Sequence, residues 1–340
     1  MIELRNIRKT FNNGTASETV ALDNLNLVLQ EGDFITVIGG NGAGKSTLTN
    51  IISGSIQPDQ GQILLNNNDV TKMSEHSRAP YFGRVFQDPM MGTAADMTVI
   101  ENLALAFGRG RPRSLFRWSY RKSDVVYFVK ELKTLDLGLE DRLYQKVGLL
   151  SGGQRQALTL LMATIAQEPS HYQIRKDYVK FNPMNKNAKA EVEKVYKEEK
   201  AKYTALRKQI LKDKTIPFKE KEEKIKEAYA AFDSKIREYD VTKPVLLLDE
   251  HTAALDPKTA AKVLEITEKI VNEKKLTTIM ITHNMNDAIR YGNRLIMMSK
   301  GKIVVDVSKE EKKQLTITKL LSLFNDASGN DTLSDSTILG

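Results

Sequence analysis

The sequence predicts an α/β protein whose core is a parallel β-sheet, with an antiparallel β region, a helical lobe and an inserted antiparallel helical hairpin. Three observations support this fold class. Short apolar runs alternate with helical stretches along most of the 340 residues. A glycine-rich loop joins one apolar run directly to a helix. A highly charged segment with alternating four- and three-residue spacings interrupts the pattern at residues 171–243.

The predicted strands are short runs with β-branched or alternating character that end at turn signals. Residues 34–38 are continuously apolar, apart from one threonine, and are typical of a buried parallel strand. The other predicted strands are residues 2–7, 21–29, 63–65, 244–248, 279–282 and 295–298. Helical periodicity predicts helices over residues 46–53, 99–107, 124–135, 154–167 and 260–272.

This pattern divides the chain into five parts. Residues 1–95 and 244–324 are predicted to form one core, which contains the glycine loop, the antiparallel β region and a second part that returns to the sheet. Residues 96–170 form the helical lobe and residues 171–243 form the hairpin. Residues 325–340 are rich in Ser, Asp, Asn and Gly and are predicted to be a mobile tail.

Composition excludes several classes of site. The chain has no cysteine, which excludes disulfides, thiolate metal sites and cysteine nucleophiles. No run approaches the ~18 apolar residues of a membrane-spanning helix, and the first residues lack the apolar core of a signal peptide. We therefore expect a cytoplasmic protein that a membrane partner could hold at the membrane surface.

The net charge of +8 is concentrated in one segment. Residues 171–243 contain 20 Lys and Arg against 13 Asp and Glu, so the remaining chain is almost neutral. In this segment an apolar seam is predicted along two helical arms that meet at a turn over residues 213–217. The seam positions are Val192, Tyr196, Glu199, Tyr203, Leu206 and Ile210 in the first arm, and Phe218, Glu222, Ile225, Tyr229, Phe232, Ile236 and Tyr239 in the second.

Two basic segments leave alternatives open. The hairpin could be a solvated structural element, or it could dock onto a membrane subunit, a second cytoplasmic protein or anionic lipid. Residues 109–122 interleave basic and aromatic side chains, which is typical of a solvated loop or of a contact with a membrane subunit or lipid headgroups.

The glycine loop has the spacing Gly-x-x-x-x-Gly-Lys-Ser of a phosphate-binding loop. Its backbone N–H groups can converge on phosphate oxygens, and the following helix presents its positive N-terminus to the same anion. We expect Lys45 to neutralise phosphate charge and Ser46 to bind Mg²⁺. The loop, and with it the predicted ATP-binding segment, comprises Gly39, Gly40, Asn41, Gly42, Ala43, Gly44, Lys45, Ser46 and Thr47.

A second chemical motif is an apolar strand that ends in two carboxylates, Asp249 and Glu250. Asp249 at the end of the strand is expected to hold Mg²⁺ through water. Glu250 is expected to orient and polarise the attacking water, as general-base catalysis of phosphoryl transfer requires. A strand that ends in Asp-Glu is common by chance, and it becomes specific in a chain that also has a phosphate-binding loop.

Downstream of the loop, residues 150–154 read Leu-Ser-Gly-Gly-Gln and resemble the signature of ATP-binding cassette (ABC) ATPases. The resemblance covers residues 1–170 and 242–308 and implies the ABC-ATPase fold of the P-loop NTPases. It also implies a head-to-tail dimer, in which the signature of one chain caps the ATP held by its partner. The signature residues assigned to this ATP contact are Ser151, Gly152, Gly153 and Gln154.

The same resemblance assigns four more residues. Gln87 is similar to the glutamine that reaches Mg²⁺ and the hydrolytic water. Asp256 resembles the D-loop aspartate beside the nucleotide, and His283 resembles the switch histidine that contacts the γ-phosphate; a lone histidine would more often be a core residue. Phe11 resembles the aromatic residue that stacks on adenine, although core packing would explain a phenylalanine equally well.

Two features depart from the family pattern. His251 follows Glu250 where the family usually has proline, which leaves the local loop geometry open. The hairpin interrupts the connection between the signature helix and the strand that ends at Asp249. That connection enters the strand at the edge of the sheet opposite the phosphate loop, so we expect the hairpin to extend away from ATP.

The resemblance implies an ATP-hydrolysing subunit of an ABC importer that uses Mg²⁺ and takes up amino acids. Strings such as residues 83–93 and 249–257 are similar to importers assigned to aromatic amino acids. The expected partners are a second copy of the chain, separate transmembrane permease subunits and an extracytoplasmic solute-binding lipoprotein. The expected location is the cytoplasmic face of the membrane. The alternative is a non-transport ABC ATPase whose basic hairpin acts on ribosomes or nucleic acid.

Overall fold

The computed structural model of the chain describes residues 1–79, 81–109, 120, 122–165, 186–213, 215–237 and 245–328. The chain divides into two compact units. The first comprises Met1–Ile165 and Lys243–Gly340, and the second comprises Ala166–Thr242. Among the described helices, none combines the length and apolar character needed to cross a lipid bilayer.

The described residues alternate strands and helices, as the apolar pattern predicts. The strands are β1 (Ile2–Phe11), β2 (Thr19–Leu29), β3 (Phe34–Gly39), β4 (Gln60–Leu65), β5 (Asn68–Asp69), β6 (Phe82–Val85), β7 (Val245–Asp249), β8 (Thr278–Ile281), β9 (Arg294–Ser299) and β10 (Lys302–Ser308). The helices are α1 (Lys45–Ser53), α2 (Glu75–Arg78), α3 (Val99–Phe107), α4 (Lys122–Lys133), α5 (Gly152–Thr164), α6 (Lys186–Lys212), α7 (Phe218–Arg237), α8 (Pro257–Lys274), α9 (Met285–Arg290), α10 (Lys309–Lys313) and α11 (Ile317–Ser328).

A six-stranded sheet forms the centre of the first unit, in the order β10-β9-β3-β8-β7-β6. The five strands from β9 to β6 are parallel to their neighbours, and β10 is antiparallel to β9. The predicted parallel core is therefore confirmed. Strand β8 separates β3 from β7, so the residues that follow β8 lie between the loop after β3 and the carboxylates that end β7.

The two faces of this sheet pack against different layers, because successive side chains of a strand point to opposite faces. On one face, Leu247 shares an apolar cluster with α1 and with the antiparallel sheet β2-β1-β4-β5. On the other face, Leu246 and Leu248 share a cluster with α8 and the helical lobe. Each fully buried leucine stabilises the fold by about 1.5–3 kcal/mol. The antiparallel β region and the helical lobe are thus present as predicted.

A buried lysine attaches the C-terminal part of the first unit to the sheet. The ammonium of Lys312, on α10, donates hydrogen bonds to the Tyr291 carbonyl at the end of α9 and to Oγ1 of Thr36, which lies 3.2 Å away. The side chain is 4% exposed. Burial lowers the pKa of Lys312 to about 8. The contact therefore links α10 to the C-terminal end of α9 and to β3.

We expect this lysine to make the stability of the protein depend on pH. The unfolded chain binds the proton up to a pKa near 10.5, whereas the folded chain releases it near pH 8. The unfolded state therefore binds more protons between these values, and the free energy of unfolding should rise between pH 8 and 10.5 by up to about 3 kcal/mol. Denaturant titrations across this range measure the rise.

Two variants isolate the contribution of Lys312 from that of other titrating groups. Lys312→Met should lose this rise in stability. Lys313→Met should keep it, because Lys313 is exposed and pairs with Glu310. Equal pH dependence in the wild type and in Lys312→Met would contradict the assignment.

The second unit contains the predicted hairpin. Its described helices, α6 and α7, pack together along an aromatic cluster. The ring of Tyr203 lies 5.6 Å from the rings of both Tyr229 and Phe232, measured between centroids. Nζ of Lys221, near the start of α7, donates a hydrogen bond to the carbonyl of Leu211, near the end of α6. These contacts join the end of one helix to the start of the next, as in an antiparallel pair.

Two of the predicted seam positions are wrong. Leu206 is 45% exposed and Glu222 is also exposed. An α-helix turns by about 100° per residue, so Leu206 lies about 60° to one side of Tyr203. The bulky rings of the aromatic cluster fill the space between the helices, and Leu206 remains on the flank.

Some predictions lie partly outside the described residues. These are most of the basic and aromatic run at residues 109–122, residues 166 and 167 of the predicted helix 154–167, and several seam side chains. The prediction that this helix runs through to residue 167 is wrong, because α5 ends at Thr164 and Ile165 has an extended backbone. In the predicted tail, α11 continues to Ser328, so residues 325–328 are helical, and residues 329–340 lie outside the described part.

Candidate functional site

The glycine loop connects β3 to α1, and its first residue sits against the neighbouring strand. Gly39 has φ of 155°, and a Cβ atom on it would lie 2.3 Å from the backbone oxygen of Met298 on β9. By contrast, a Cβ atom on Gly40 would meet no atom within 4 Å. The start of the loop is thus packed against backbone, while the next position is open.

Lys45 is the first residue of α1 and its side chain folds back over the loop. Its Nζ donates hydrogen bonds to the carbonyl oxygens of Gly39, at 2.7 Å, and Gly40, at 3.1 Å. Burial lowers the pKa of Lys45, while the nearby carboxylates of Glu250 and Asp249 oppose that shift. A cation and a helix N-terminus therefore face the same loop, a combination that suits a phosphate group.

Asp249, the last residue of β7, lies close to the start of α1. Burial raises the pKa of its carboxyl group, and the guanidinium of Arg84 and a hydrogen bond from Ser46 act in the opposite direction. The hydroxyl of Ser46 and the carboxylate of Asp249 thus lie together, as the sequence predicts for two magnesium ligands. Oxygen donors of this kind fit a Mg²⁺ ion, which keeps several waters and uses one or two carboxylates.

Glu250 and His283 are in direct contact. Nε2 of His283 lies 2.5 Å from Oε1 of Glu250. The peptide N–H of Glu250 donates to the carbonyl of Ile281 at the end of β8, and Glu250 itself has a positive φ of 47°. This backbone conformation is uncommon for a residue with a side chain and is found disproportionately at functional sites. The structure therefore joins two residues that the sequence singled out independently.

The signature residues form the start of α5. Ser151 and Gln154 form a reciprocal cap, in which the Ser151 hydroxyl accepts from the Gln154 N–H and the Gln154 side chain accepts from the Ser151 N–H. A Cβ atom on Gly153 would lie 2.3 Å from Cγ2 of Thr259 on α8, so this glycine allows the two helices to approach closely. Ser151 and Gly152 are exposed.

Asp256 has a structural task at the start of α8. Its carboxylate accepts a hydrogen bond from the Thr259 N–H at 3.0 Å, and hydrogen bonds from the Thr259 side chain and N–H lower the pKa of Asp256. Gly152 lies next to the same segment, because a Cβ atom on Gly152 would be 3.3 Å from Cδ2 of Leu255. Within one chain, the signature therefore packs against the predicted D-loop and α8.

Gln87 and Phe11 lie at the ends of strands. Gln87 is exposed two residues after β6, and its neighbour Phe86 accepts a hydrogen bond through its carbonyl from Nε2 of Gln156 on α5. This contact joins the signature helix to the predicted Q-loop. Phe11 ends β1 with a half-buried ring, and Nζ of Lys9 lies 5.7 Å from the ring centroid. Their predicted roles toward ATP remain predictions.

The structure shows how His251 fits into the loop after Glu250, where the family usually has proline. The ring is buried, and Nε2 lies 3.1 Å from Oγ1 of Thr267, whose own proton goes to the Val263 carbonyl. The imidazole must therefore donate through Nε2. Burial lowers the pKa of His251 to about 4, so the ring is neutral at pH 7. This hydrogen bond anchors the loop after Glu250 to α8.

One residue of the site was missed by sequence reasoning. The guanidinium of Arg84 lies within 3.6 Å of the Asp249 carboxylate and hydrogen-bonds to Asn50 on α1. A signal was present, because Arg84 is the charged residue of the otherwise apolar strand β6. Its partners could not be identified without knowing that β6 lies beside β7.

Several known proteins are similar to this chain in sequence. The sequence model of the ABC transporter family matches residues 22–172. The tyrosine transport ATP-binding protein of Clostridioides difficile is 35% identical over 324 residues, which cover 95% of this chain and 98% of that protein. The phosphonates import ATP-binding protein PhnC of Lactococcus lactis is 25% identical and covers 92% of this chain, with 94% of its own length aligned.

Solved structures agree with the fold. The dimeric structure of MJ0796, a bacterial ABC transporter cassette, superposes with a TM-score of 0.58 at 23% sequence identity. The superposition covers 91% of this chain and 99% of that one. The predicted combination of a parallel core, an antiparallel sheet and a helical lobe is thus shared with solved ATP-binding cassettes.

Proposed function

The chain belongs to the ATP-binding proteins of ABC transporters, and from this premise we propose that it energises an importer of amino acids, with an aromatic amino acid as cargo. It is an ATPase whose hydrolysis of ATP is coupled to transport. The observation that carries the cargo proposal is the 35% identity, over nearly the whole chain, to a protein named for tyrosine transport. The cassette itself does not bind the cargo, so the substrate assignment depends on this relationship.

The site geometry supports specific roles in hydrolysis. The backbone of residues 39–47 and the ammonium of Lys45 bind the β- and γ-phosphates of ATP. Ser46 and Asp249 would hold Mg²⁺, with Gln87 also reaching it, and a bound ion would neutralise charge on the phosphate oxygens. Glu250 accepts a proton from the attacking water, and His283, in contact with Glu250, fixes the orientation of that carboxylate and contacts the γ-phosphate. Phe11 stacks on the adenine and Asp256 lies beside the nucleotide.

Two copies of the chain complete each site in this proposal. Ser151 and Gly152 are exposed at the N-terminus of α5, whereas the contacts of the signature within its own chain are with α8. An exposed helix N-terminus suits the phosphates of a nucleotide bound to a second copy. The cassette MJ0796, which shares this fold, has been solved as a dimer, and this supports a dimer of the present chain. ATP would thus close two chains head to tail, and hydrolysis would release them.

The chain would act at the cytoplasmic face of the membrane on separate permease subunits, together with a solute-binding lipoprotein. Two adjacent apolar side chains support contact with a membrane subunit, because Met90 and Met91, which follow Gln87 closely in the chain, are 42% and 70% exposed. Movement of the loop that contains Gln87 would then reach both the nucleotide and the permease.

Affinity purification and transport assays test the proposal together. The full chain, tagged and purified in mild detergent from the cells that produce it, should bring down a membrane-spanning protein. Recovery of ribosomes or DNA without a membrane protein would instead support the alternative function.

Cells that lack the chain should lose uptake of labelled tyrosine, phenylalanine or tryptophan and keep uptake of methionine. Loss of methionine uptake alone would overturn the cargo and leave the transport ATPase role intact.

A further inference from the structure

Arg84 connects three elements at the edge of the nucleotide site. Its Nη2 donates a hydrogen bond to Oδ1 of Asn50 on α1 at 2.6 Å, and its Nη1 donates to Oγ of Ser55 at 3.3 Å. The same Nη2 lies 3.6 Å from Oδ2 of Asp249 at the end of β7. The guanidinium carbon also lies 4.5 Å from the centroid of the Phe86 ring.

The sheet register explains how one side chain reaches these groups. Strand β6 pairs with β7 so that Arg84 is opposite Leu247, and Asp249 is two residues farther along on the same face. On α1, Asn50 lies four residues after Ser46, so both are on one side of the helix. Arg84 therefore touches the helix face that carries Ser46 and the strand that carries Asp249.

The chemistry of arginine suits this place. A guanidinium is planar and always charged, and its several N–H donors are held in a fixed fork. Nη2 faces both Asn50 and Asp249, Nη1 donates to Ser55, and the face of Phe86 limits rotation of the guanidinium. The side chain is only 16% exposed, so water screens the attraction to Asp249 less than at an open surface.

We propose that Arg84 is a positioning residue for the magnesium ligands, because it ties α1, which carries Ser46, to the carboxylate of Asp249. Its stacking on Phe86 connects this pair to Gln87, the next residue of the chain. The inference rests on the proposed function, since it takes Ser46 and Asp249 as magnesium ligands. A group that supports a metal ligand from behind affects metal affinity, whereas a group that only packs the core affects stability alone.

The test is the magnesium dependence of the full-length Arg84→Met variant. Methionine keeps much of the apolar volume and removes the charge and the donors. ATP affinity in EDTA should stay within about two-fold of wild type. The Mg²⁺ concentration for half-maximal ATP hydrolysis and for half-maximal strengthening of ATP binding should rise about ten-fold, the loss that is typical when an outer partner of a metal ligand is removed.

Arg294→Met is the matched control. Arg294 is 19% exposed and also pairs with aspartates, at 2.6 Å from Asp306 and 3.6 Å from Asp33, at the start of β9. Both variants should lose some thermal stability, and only Arg84→Met should change the magnesium dependence. An equal magnesium dependence in the two variants, or a loss of ATP affinity in EDTA confined to Arg84→Met, would overturn the inference.

Two further variants keep the test decisive if Arg84→Met does not fold, or if Ser46 and Asp249 are not magnesium ligands. Asn50→Ala removes the link between Arg84 and α1 with little effect on the core, and it should raise the magnesium requirement in the same direction, with no added effect in the double variant. Additive effects would overturn the shared role.

Asp249→Asn tests the premise itself. If it leaves the magnesium dependence unchanged, the proposed site is wrong; if it shifts the dependence and Arg84→Met does not, only the role of Arg84 is wrong.

Discussion

Glu250→Gln is expected to retain ATP binding within about three-fold of wild type and to lower the hydrolysis rate at least about 100-fold, the scale of a lost general base. The amide of glutamine has nearly the same shape as the carboxylate and can still contact Nε2 of His283, 2.5 Å from Oε1 of Glu250 in the wild type. It cannot accept a proton from water at neutral pH. Binding and catalysis should therefore separate in this variant.

Phosphate release at saturating ATP measures the loss, and equilibrium binding of ATP measures what is retained. The variant should also accumulate as an ATP-bound dimer on size-exclusion chromatography, because hydrolysis no longer opens it. Glu273→Gln is the matched control, since Glu273 is exposed near the end of α8. An unchanged hydrolysis rate in Glu250→Gln would remove Glu250 from the role of base.

Gly39→Ala is expected to lower the free energy of unfolding by about 3 kcal/mol, the upper part of the usual range for an overpacked site. The added methyl group would lie 2.3 Å from the backbone oxygen of Met298. Gly39 and Met298 are partners in the pairing of β3 with β9, so the clash cannot be relieved by turning a side chain. The strand must move, and the phosphate loop that follows it must move as well, so ATP affinity should also fall.

Gly40→Ala provides the comparison within the same loop. A Cβ atom on Gly40 meets no atom within 4 Å, so the free energy of unfolding should fall by less than about 1 kcal/mol. Chemical denaturation of the two variants measures the difference. Equal free energies of unfolding in the two variants would show that β9 shifts to accommodate the extra methyl group and that Gly39 is not required for packing.

Local features of this protein were predictable because neighbouring residues determine them. The strand, glycine loop and helix around Lys45 are contiguous, and apolar character and turn chemistry identify each one. The aromatic cluster of the hairpin also followed from periodicity, since Tyr203 lies on the predicted seam of the first arm, and Tyr229 and Phe232 lie on that of the second. Leu206 was misplaced because periodicity does not include the size of the rings that separate the two helices.

Contacts between distant segments were not predictable in the same way. The sequence names His251 as a departure from the family pattern, but its partner Thr267 emerges only when α8 packs against the loop. Arg84 is visible as a charge in an apolar strand, but nothing near it in the chain points to Asn50 or Asp249. Both side chains are explained by partners on other elements.

The sequence by itself determined which residues are candidates for the chemistry of this protein: a loop for phosphate, an aspartate and a serine for a divalent cation, a glutamate for water, and a family signature at the head of α5. Only the tertiary structure decided that His283 meets Glu250. The reason is the strand order, since β8 lies between β3 and β7 and delivers His283 between the phosphate loop and the carboxylates. A motif consists of residues that are adjacent in the chain, whereas the contact between two motifs depends on which strands pair in the sheet.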